Sequence, residues 1–91
     1  MLLIRRSSQF KKDLKKILKQ HKNIDVLENI VTMLQEQKAL PEKYRDHALT
    51  GEWQGYRECH LSPDWLLIYR VENELQLLKL VRTGSHSELL R

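Results

Sequence analysis

Three histidines and an aspartate in the second half of the chain, His47, His60, His86 and Asp64, carry the chemistry this sequence offers. Imidazole titrates near ~6.5 when unperturbed, so it takes up and releases protons at neutral pH without drastic tuning. His60 and Asp64 lie four residues apart around Pro63, at a strand end and turn, while His47 and His86 sit in polar, loop-like segments. Such a set can supply a base, an acid and an orienting group. Arg82 adds a planar, permanently charged donor suited to a phosphate. RNA cleavage fits these means, because RNA brings its own nucleophile. A base removes the 2′-OH proton, the oxygen attacks the adjacent phosphorus, and an acid protonates the leaving 5′-oxygen. No cofactor is required.

Each residue also has an ordinary reading. Strand-end and loop histidines are often only hydrogen-bonded structure, Asp64 can simply stabilise a turn after Pro63, and His21 reads as a solvated helix-end residue. There is no Gly-rich phosphate loop with Lys, no G-x-S-x-G elbow, no HExxH and no CxxC. The spacing of His47, His60, Asp64 and His86 matches no established metal signature, so no metal is expected.

The elements that must position these groups follow from the pattern along the 91 residues. Met1 to Arg6 reads as a short first strand, and Ser7 or Ser8 as the cap of a helix. Phe10, Leu14, Ile17 and Leu18 form one apolar helical face, with Lys11, Lys12, Lys15, Lys16 and Lys19 on the outer face. Asp25 and Glu28 resemble a capping box for a second helix whose stripe is Leu27, Ile30, Val31 and Leu34. Residues 40–55 contain Pro41, Gly51 and Gly55 and show no periodicity, a loop long enough to suggest function. Within it, Leu49 and Trp53 are expected to pin the chain to the core.

Tyr56 to Leu61 alternates as a strand, with Tyr56, Glu58 and His60 on one face and Arg57, Cys59 and Leu61 on the other. Ser62-Pro63-Asp64 is a turn. Trp65 to Val71 is nearly continuously apolar, as expected of a central strand covered on both faces. Glu72-Asn73-Glu74 turns the chain into a last strand, Leu75 to Val81, which exits at Gly84. Ser87 to Arg91 reads as a short tail. The string β-α-α-loop-β-β-β predicts one α+β domain over residues 1–91. An antiparallel sheet of about four strands packs on an N-terminal helical pair, and its opposite face is free for a site. Cys59 and Trp53 read as core or anchor residues, and so does Trp65, which is also a candidate RNA contact.

The bulk numbers agree with a small basic domain. A formal charge of +4 favours a polyanionic partner such as nucleic acid or an acidic protein. The single Cys59 excludes an intrachain disulfide and points to a reducing cytoplasm. No apolar run is long enough to span a membrane, and the N-terminal charge order is wrong for a signal peptide.

The run from Asp46-His47 through Leu49, Gly51, Trp53, Gly55-Tyr56-Arg57-Glu58, His60 and Pro63-Asp64-Trp65-Leu66-Leu67-Ile68-Tyr69, followed by Arg82-Thr83-Gly84-Ser85-His86, resembles the YafQ branch of the RelE superfamily of bacterial toxins. The resemblance implies a RelE-like fold and a type II toxin that cuts mRNA on the ribosome by metal-free acid–base catalysis. It implies His47, His60, Asp64 and His86 as the acid–base set, with His86 protonating the leaving group and Arg82 holding the scissile phosphate. It gives Lys11, Lys12, Lys15, Lys16 and Lys19 a role in gripping ribosomal RNA. A cognate antitoxin with an acidic segment would neutralise the toxin, and their complex would contact operator DNA mainly through the antitoxin. The family often ends in an aromatic; here Leu90 offers apolar contact without a ring. The alternative is a basic module that binds RNA or protein without catalysis.

Overall fold

Ser7 divides a strand from a helix. In the computed structural model, which describes residues 1–89, β1 (Leu3–Arg6) ends there and α1 (Ser8–Lys19) begins. The Ser7 hydroxyl accepts from the Phe10 N–H at 2.9 Å and donates to the Val81 carbonyl at 2.7 Å. One side chain thus caps the helix and fastens its start to the sheet. The second helix, α2 (Ile24–Gln35), is capped by Asn23, whose side chain accepts from the Asp25 N–H. This corrects the expected Asp25–Glu28 capping box: Asp25 already lies inside the first turn, with its charge at the positive end of the helix.

Four further strands follow: β2 (His47–Ala48), β3 (Arg57–Ser62), β4 (Trp65–Glu72) and β5 (Leu77–Gly84), with a closing turn of helix, α3 (His86–Leu89). They form one five-stranded sheet in the order β1-β5-β4-β3-β2. The α+β class is as expected, but the strand count and one pairing differ. β2 arises inside the 40–55 segment, between two short 3-10 turns at Glu42–Tyr44 and Gly51–Trp53. β1 runs parallel to β5, while every other pair is antiparallel.

The core lies between helices and sheet. Phe10 and Ile17 from α1 and Leu27, Ile30, Val31 and Leu34 from α2 meet Cys59, Leu61, Trp65, Leu67, Tyr69, Leu78 and Leu80. The expected α1 stripe is adjusted in one place, since Leu18 is exposed and Asp13 is buried. β5 runs on past the end of β1, so the Thr83 N–H would face an empty sheet edge. The Asp13 carboxylate fills that place, accepting from the Thr83 N–H at 3.1 Å and from Arg82 Nε at 2.8 Å and Nη2 at 3.1 Å. Burial pushes the Asp13 carboxyl up. The hydrogen bonds from Arg82, Gln9 and Thr83, with the charge of Arg82, outweigh this and hold it below the usual carboxylate range.

The opposite sheet face is only partly free. Leu66, Ile68 and Leu89 are buried there, with Leu49, Trp53, Tyr56 and Val81 packed on them. Leu49 and Trp53 thus pin the 40–55 segment, as expected, but to this second cluster. β4 is covered on both faces, with Trp65 to Tyr69 all buried. Residues 86–89 do not form a mere tail. Ser85 and Glu88 make a reciprocal cap for α3: the Ser85 N–H donates to Glu88 Oε1 and the Glu88 N–H to Ser85 Oγ.

Replacing Asp13 with Asn is expected to cost about 2–3 kcal/mol of stability, because the charged acceptor for a half-buried guanidinium and an edge N–H is removed. A folded carboxyl held below its unfolded value stabilises above that unfolded value, about pH 4, and the gain fades as pH falls through the folded value. Urea titrations should therefore show the gap between wild type and Asp13→Asn narrowing below about pH 4. A constant gap would mean that the carboxylate charge is not the source of the effect.

Candidate active site

Pleating puts Glu58 and His60 on the sheet face away from the helices. β2 pairs His47 with Glu58 across the ladder. The two imidazoles therefore flank one carboxylate: His60 Nε2 lies 3.1 Å and His47 Nε2 3.3 Å from Glu58 Oε1. Glu58 is only 2% exposed, and its Oε2 has no hydrogen-bond partner. His47 is exposed and His60 half-buried, so the cluster opens to solvent at its histidine side. His47 Nδ1 is 3.2 Å from the Ala48 carbonyl oxygen. A carbonyl oxygen only accepts, so Nδ1 carries the proton there and Nε2 is the atom turned to Glu58.

Arg82 reaches the same face through an irregularity in β5. The register shifts between Ile68 and Tyr69, which pair with Arg82 and Leu80, leaving Val81 as an extra residue. A continuous ladder would set Val81 opposite Ile68 and turn Arg82 into the core. With the bulge, Val81 packs on Ile68 and Arg82 is also brought to this face. His47, Glu58, Ile68 and Arg82 then form one row across four strands. The bidentate pair with Asp13 fixes the guanidinium, and that hydrogen bond, offset in part by burial, raises its already high pKa. Two of its five N–H groups are used, and three remain.

Of the expected set, His47 and His60 come together, Arg82 shares their row, and Asp64 and His86 form a separate pair. Asp64 Oδ1 accepts from the His86 backbone N–H at 3.4 Å, which ties the β3–β4 turn to the start of α3. Its partner is the backbone and not the imidazole, which is exposed. In the adjacent row His60 pairs with Leu66 and Leu66 with Gly84, two residues before His86. Two strand spacings, about 10 Å, thus separate His60 from the strand end that carries His86. Glu88 holds α3 in place, since it also pairs with Lys16 of α1. The hydrogen bond from Lys16, with those from Ser85, lowers the Glu88 carboxyl to about 2.

Glu58 is the residue sequence reasoning missed. Strand alternation already set it on the face of His60, but a lone glutamate between histidines carries no motif. Asp46 was also passed over. It accepts from Tyr69 Oη and from Arg57 Nε, bracing the start of β2 behind the site. The expected RNA contact of Trp65 is corrected. The ring is 3% exposed in the core and its indole N–H donates to Thr83 Oγ1 at 2.9 Å, so no face is left for a base. Cys59 is fully buried as expected, and burial pushes its thiol up to about 12. Lys11, Lys12, Lys15, Lys16 and Lys19 are all exposed on α1. The Leu90 contact falls outside the described residues.

A sheet backed by two helices in this arrangement is also found in proteins of known class. The sequence profile described as "Bacterial toxin of type II toxin-antitoxin system, YafQ" matches residues 2–91. The chain belongs to this family of bacterial toxins. It is 43% identical over 84 residues to the mRNA interferase toxin YafQ of Escherichia coli K12, covering 91% of this chain and 89% of that one. Two solved structures match nearly in full. A metal-bound toxin from Helicobacter pylori superposes with a TM-score of 0.94 at 44% identity, covering 99% of this chain and all of the other. The E. coli DinJ–YafQ complex matches with a TM-score of 0.90 at 40% identity, covering both chains in full.

The unpartnered Oε2 makes Glu58 a burden on the fold. Glu58→Met, apolar and of similar length, is expected to raise stability by about 1 kcal/mol. The check is a urea midpoint at neutral pH. A midpoint below wild type would show that the two histidine contacts stabilise more than the buried carboxylate costs.

Proposed function

We propose that this chain is an mRNA interferase, an endoribonuclease that cuts mRNA on the ribosome by metal-free acid–base catalysis and is neutralised by a cognate antitoxin. One observation carries the reading: a buried carboxylate held between two imidazoles, in the same cross-strand row as Arg82, whose guanidinium is tied to Asp13 and keeps three free N–H groups. The name of the E. coli relative and its complex with DinJ support the class.

In this reading the RNA backbone lies across the face between β3 and the end of β5. His60 or His47 takes the 2′-OH proton, and Glu58 orients both rings and stabilises the imidazolium that forms. The 2′-oxygen attacks phosphorus, forming a new P–O bond. Arg82, fixed by Asp13, donates to the non-bridging oxygens as charge builds on them. His86 gives its proton to the departing 5′-oxygen, and Asp64 keeps α3 registered to the β3–β4 turn. The products are a 2′,3′-cyclic phosphate and a 5′-hydroxyl. The lysines of α1 grip ribosomal RNA by charge, with Lys16 contributing least because Glu88 already engages it. An antitoxin with an acidic segment suits the net positive charge, and the complex would meet operator DNA mainly through the antitoxin. The site of action is the cytoplasm; no helix among the described residues is long and apolar enough to cross a membrane.

Inducing the chain without its antitoxin should arrest growth, and His86→Ala should release the arrest while circular dichroism shows a folded protein. Loss of a general acid lowers cleavage about 10²–10⁴-fold. Undiminished toxicity of a folded His86→Ala variant would remove His86 from the mechanism. The lysine face gives an independent check. Joint replacement of Lys11, Lys15 and Lys19 by Gln should reduce the log–log salt slope of ribosome binding by about 0.7–0.9 for each phosphate no longer neutralised. An unchanged slope would assign the grip to another surface.

A further inference from the structure

We propose that the cavity at the open edge of β3 is a nucleotide subsite. It takes the RNA residue whose 2′-OH attacks, with the base inside and that residue's 5′-phosphate held by Arg45 and Lys43. The cavity exists because β2 is short. β2 pairs His47 with Glu58 and reaches no further back, while β3 runs on to Ser62. Continuing that register would set Arg45 opposite His60, but no bridge forms there. Arg45 instead takes φ 47° and ψ 47°, closing the Glu42–Tyr44 turn. The Leu49 N–H donates to the Tyr56 carbonyl. Hydrogen-bonded pairs alternate along an antiparallel ladder, so the backbone groups of His60 point to this same edge. The gap is a cavity of about 440 Å³, with Lys43, Tyr44 and Arg45 on one side and His60, Leu61 and Pro63 on the other. Small-ligand pockets span about 300–1,000 Å³.

The two cations of the rim are unspent. Arg57, Arg82 and Lys16 are each engaged by a carboxylate, whereas Arg45 and Lys43 are exposed and form no ion pair among the described residues. The Lys43 ammonium stands 5.1 Å from the centre of the Tyr44 ring, which itself lines the cavity. Among the described residues no carboxylate lines it, so the rim favours an anion. Tyr44, Leu61 and Pro63 supply apolar walls suited to the faces of a base. A left-handed backbone favours Gly or Asn over Arg, and strain that the fold does not need points to function. His60 links the cavity to the reaction. β4 and β5, which lead to His86 and the departing 5′-oxygen, lie on one side of β3, and the cavity lies on the other. The RNA on the 5′ side of the cut therefore runs into it.

The assignment to the attacking residue rests on the nuclease reading; binding of a free nucleotide does not. Titration of 5′-AMP into the full chain, followed by amide NMR, should shift Tyr44, Arg45, His60, Leu61 and Ser62 together. Adenosine and inorganic phosphate should each bind about 10-fold more weakly, since each supplies only part of the contacts. Arg45→Asn, which suits the left-handed backbone, should keep the urea midpoint at or above wild type yet weaken AMP about 10-fold. Arg45→Lys should keep most of the affinity. Shifts confined to other surfaces, or wild-type AMP affinity in Arg45→Asn, overturn the subsite. Adenosine binding as tightly as AMP overturns the phosphate contact, and inorganic phosphate doing so overturns the base contact. In ribosome-programmed mRNA cleavage, Arg45→Asn should raise KM about 10-fold with kcat nearly unchanged, because the contact holds ground state and transition state alike. An unchanged KM overturns the assignment to the attacking residue. If the chain binds AMP here but cuts no RNA, the nuclease reading fails and the nucleotide subsite stands.

Discussion

The Asp13 carboxylate joins the helical layer, the sheet edge and the site. Where β1 stops, β5 continues with an open edge, and an unpaired strand edge needs covering. α1 covers it with a side chain in place of a strand, and the same carboxylate holds Arg82 in two hydrogen bonds. Docking of the first helix therefore fixes the Arg82 guanidinium. The β5 bulge is its counterpart, since without the extra residue Val81 the guanidinium would point into the core. Helix, edge and bulge act together. Loosening any of them moves Arg82.

Asp13 and Glu58 show two ways to bury a carboxylate. Asp13 is met by donors on both oxygens, so its charge strengthens the fold. Glu58 is met on one oxygen by two histidine nitrogens and on the other by nothing. A buried polar atom left unpaired costs stability. The strain is tolerated because the surrounding packing is complete: β4 is buried on both faces and Leu66 and Ile68 lie directly beside the cluster on the same face.

α3 carries the remaining candidate imidazole, His86. Among the described residues it spans one turn, too little to hold itself, and it is fixed by three contacts from distant chain segments or its own cap. Asp64 holds its first residue, Ser85 and Glu88 close its start, and Lys16 reaches Glu88 from α1. His86 is therefore carried on a short element braced from both the β3–β4 turn and the first helix. The imidazole–carboxylate cluster and the His86 imidazole thus stand on separate elements, β2 and β3 for the one and α3 for the other.

Local pattern was enough to define most elements and the set of reactive residues. Periodicity placed α1, α2, β3 and β4 almost at their observed ends, because each pattern is set by burial of one face within a short span. Residue type marked His47, His60, Asp64, Arg82 and His86. Which of them meet depended on the folded chain. β2 has two residues and gains its identity only by pairing with β3, so His47 beside Glu58 was invisible to any local pattern. The parallel pairing of β1 with β5, the bulge that turns Arg82, and the Asp13 clamp each depend on long-range pairing, the clamp across 70 residues. Local spacing has no access to such pairings. Glu58 is the clearest case: its chain neighbours made it an ordinary strand residue, and only the folded sheet set it between two imidazoles.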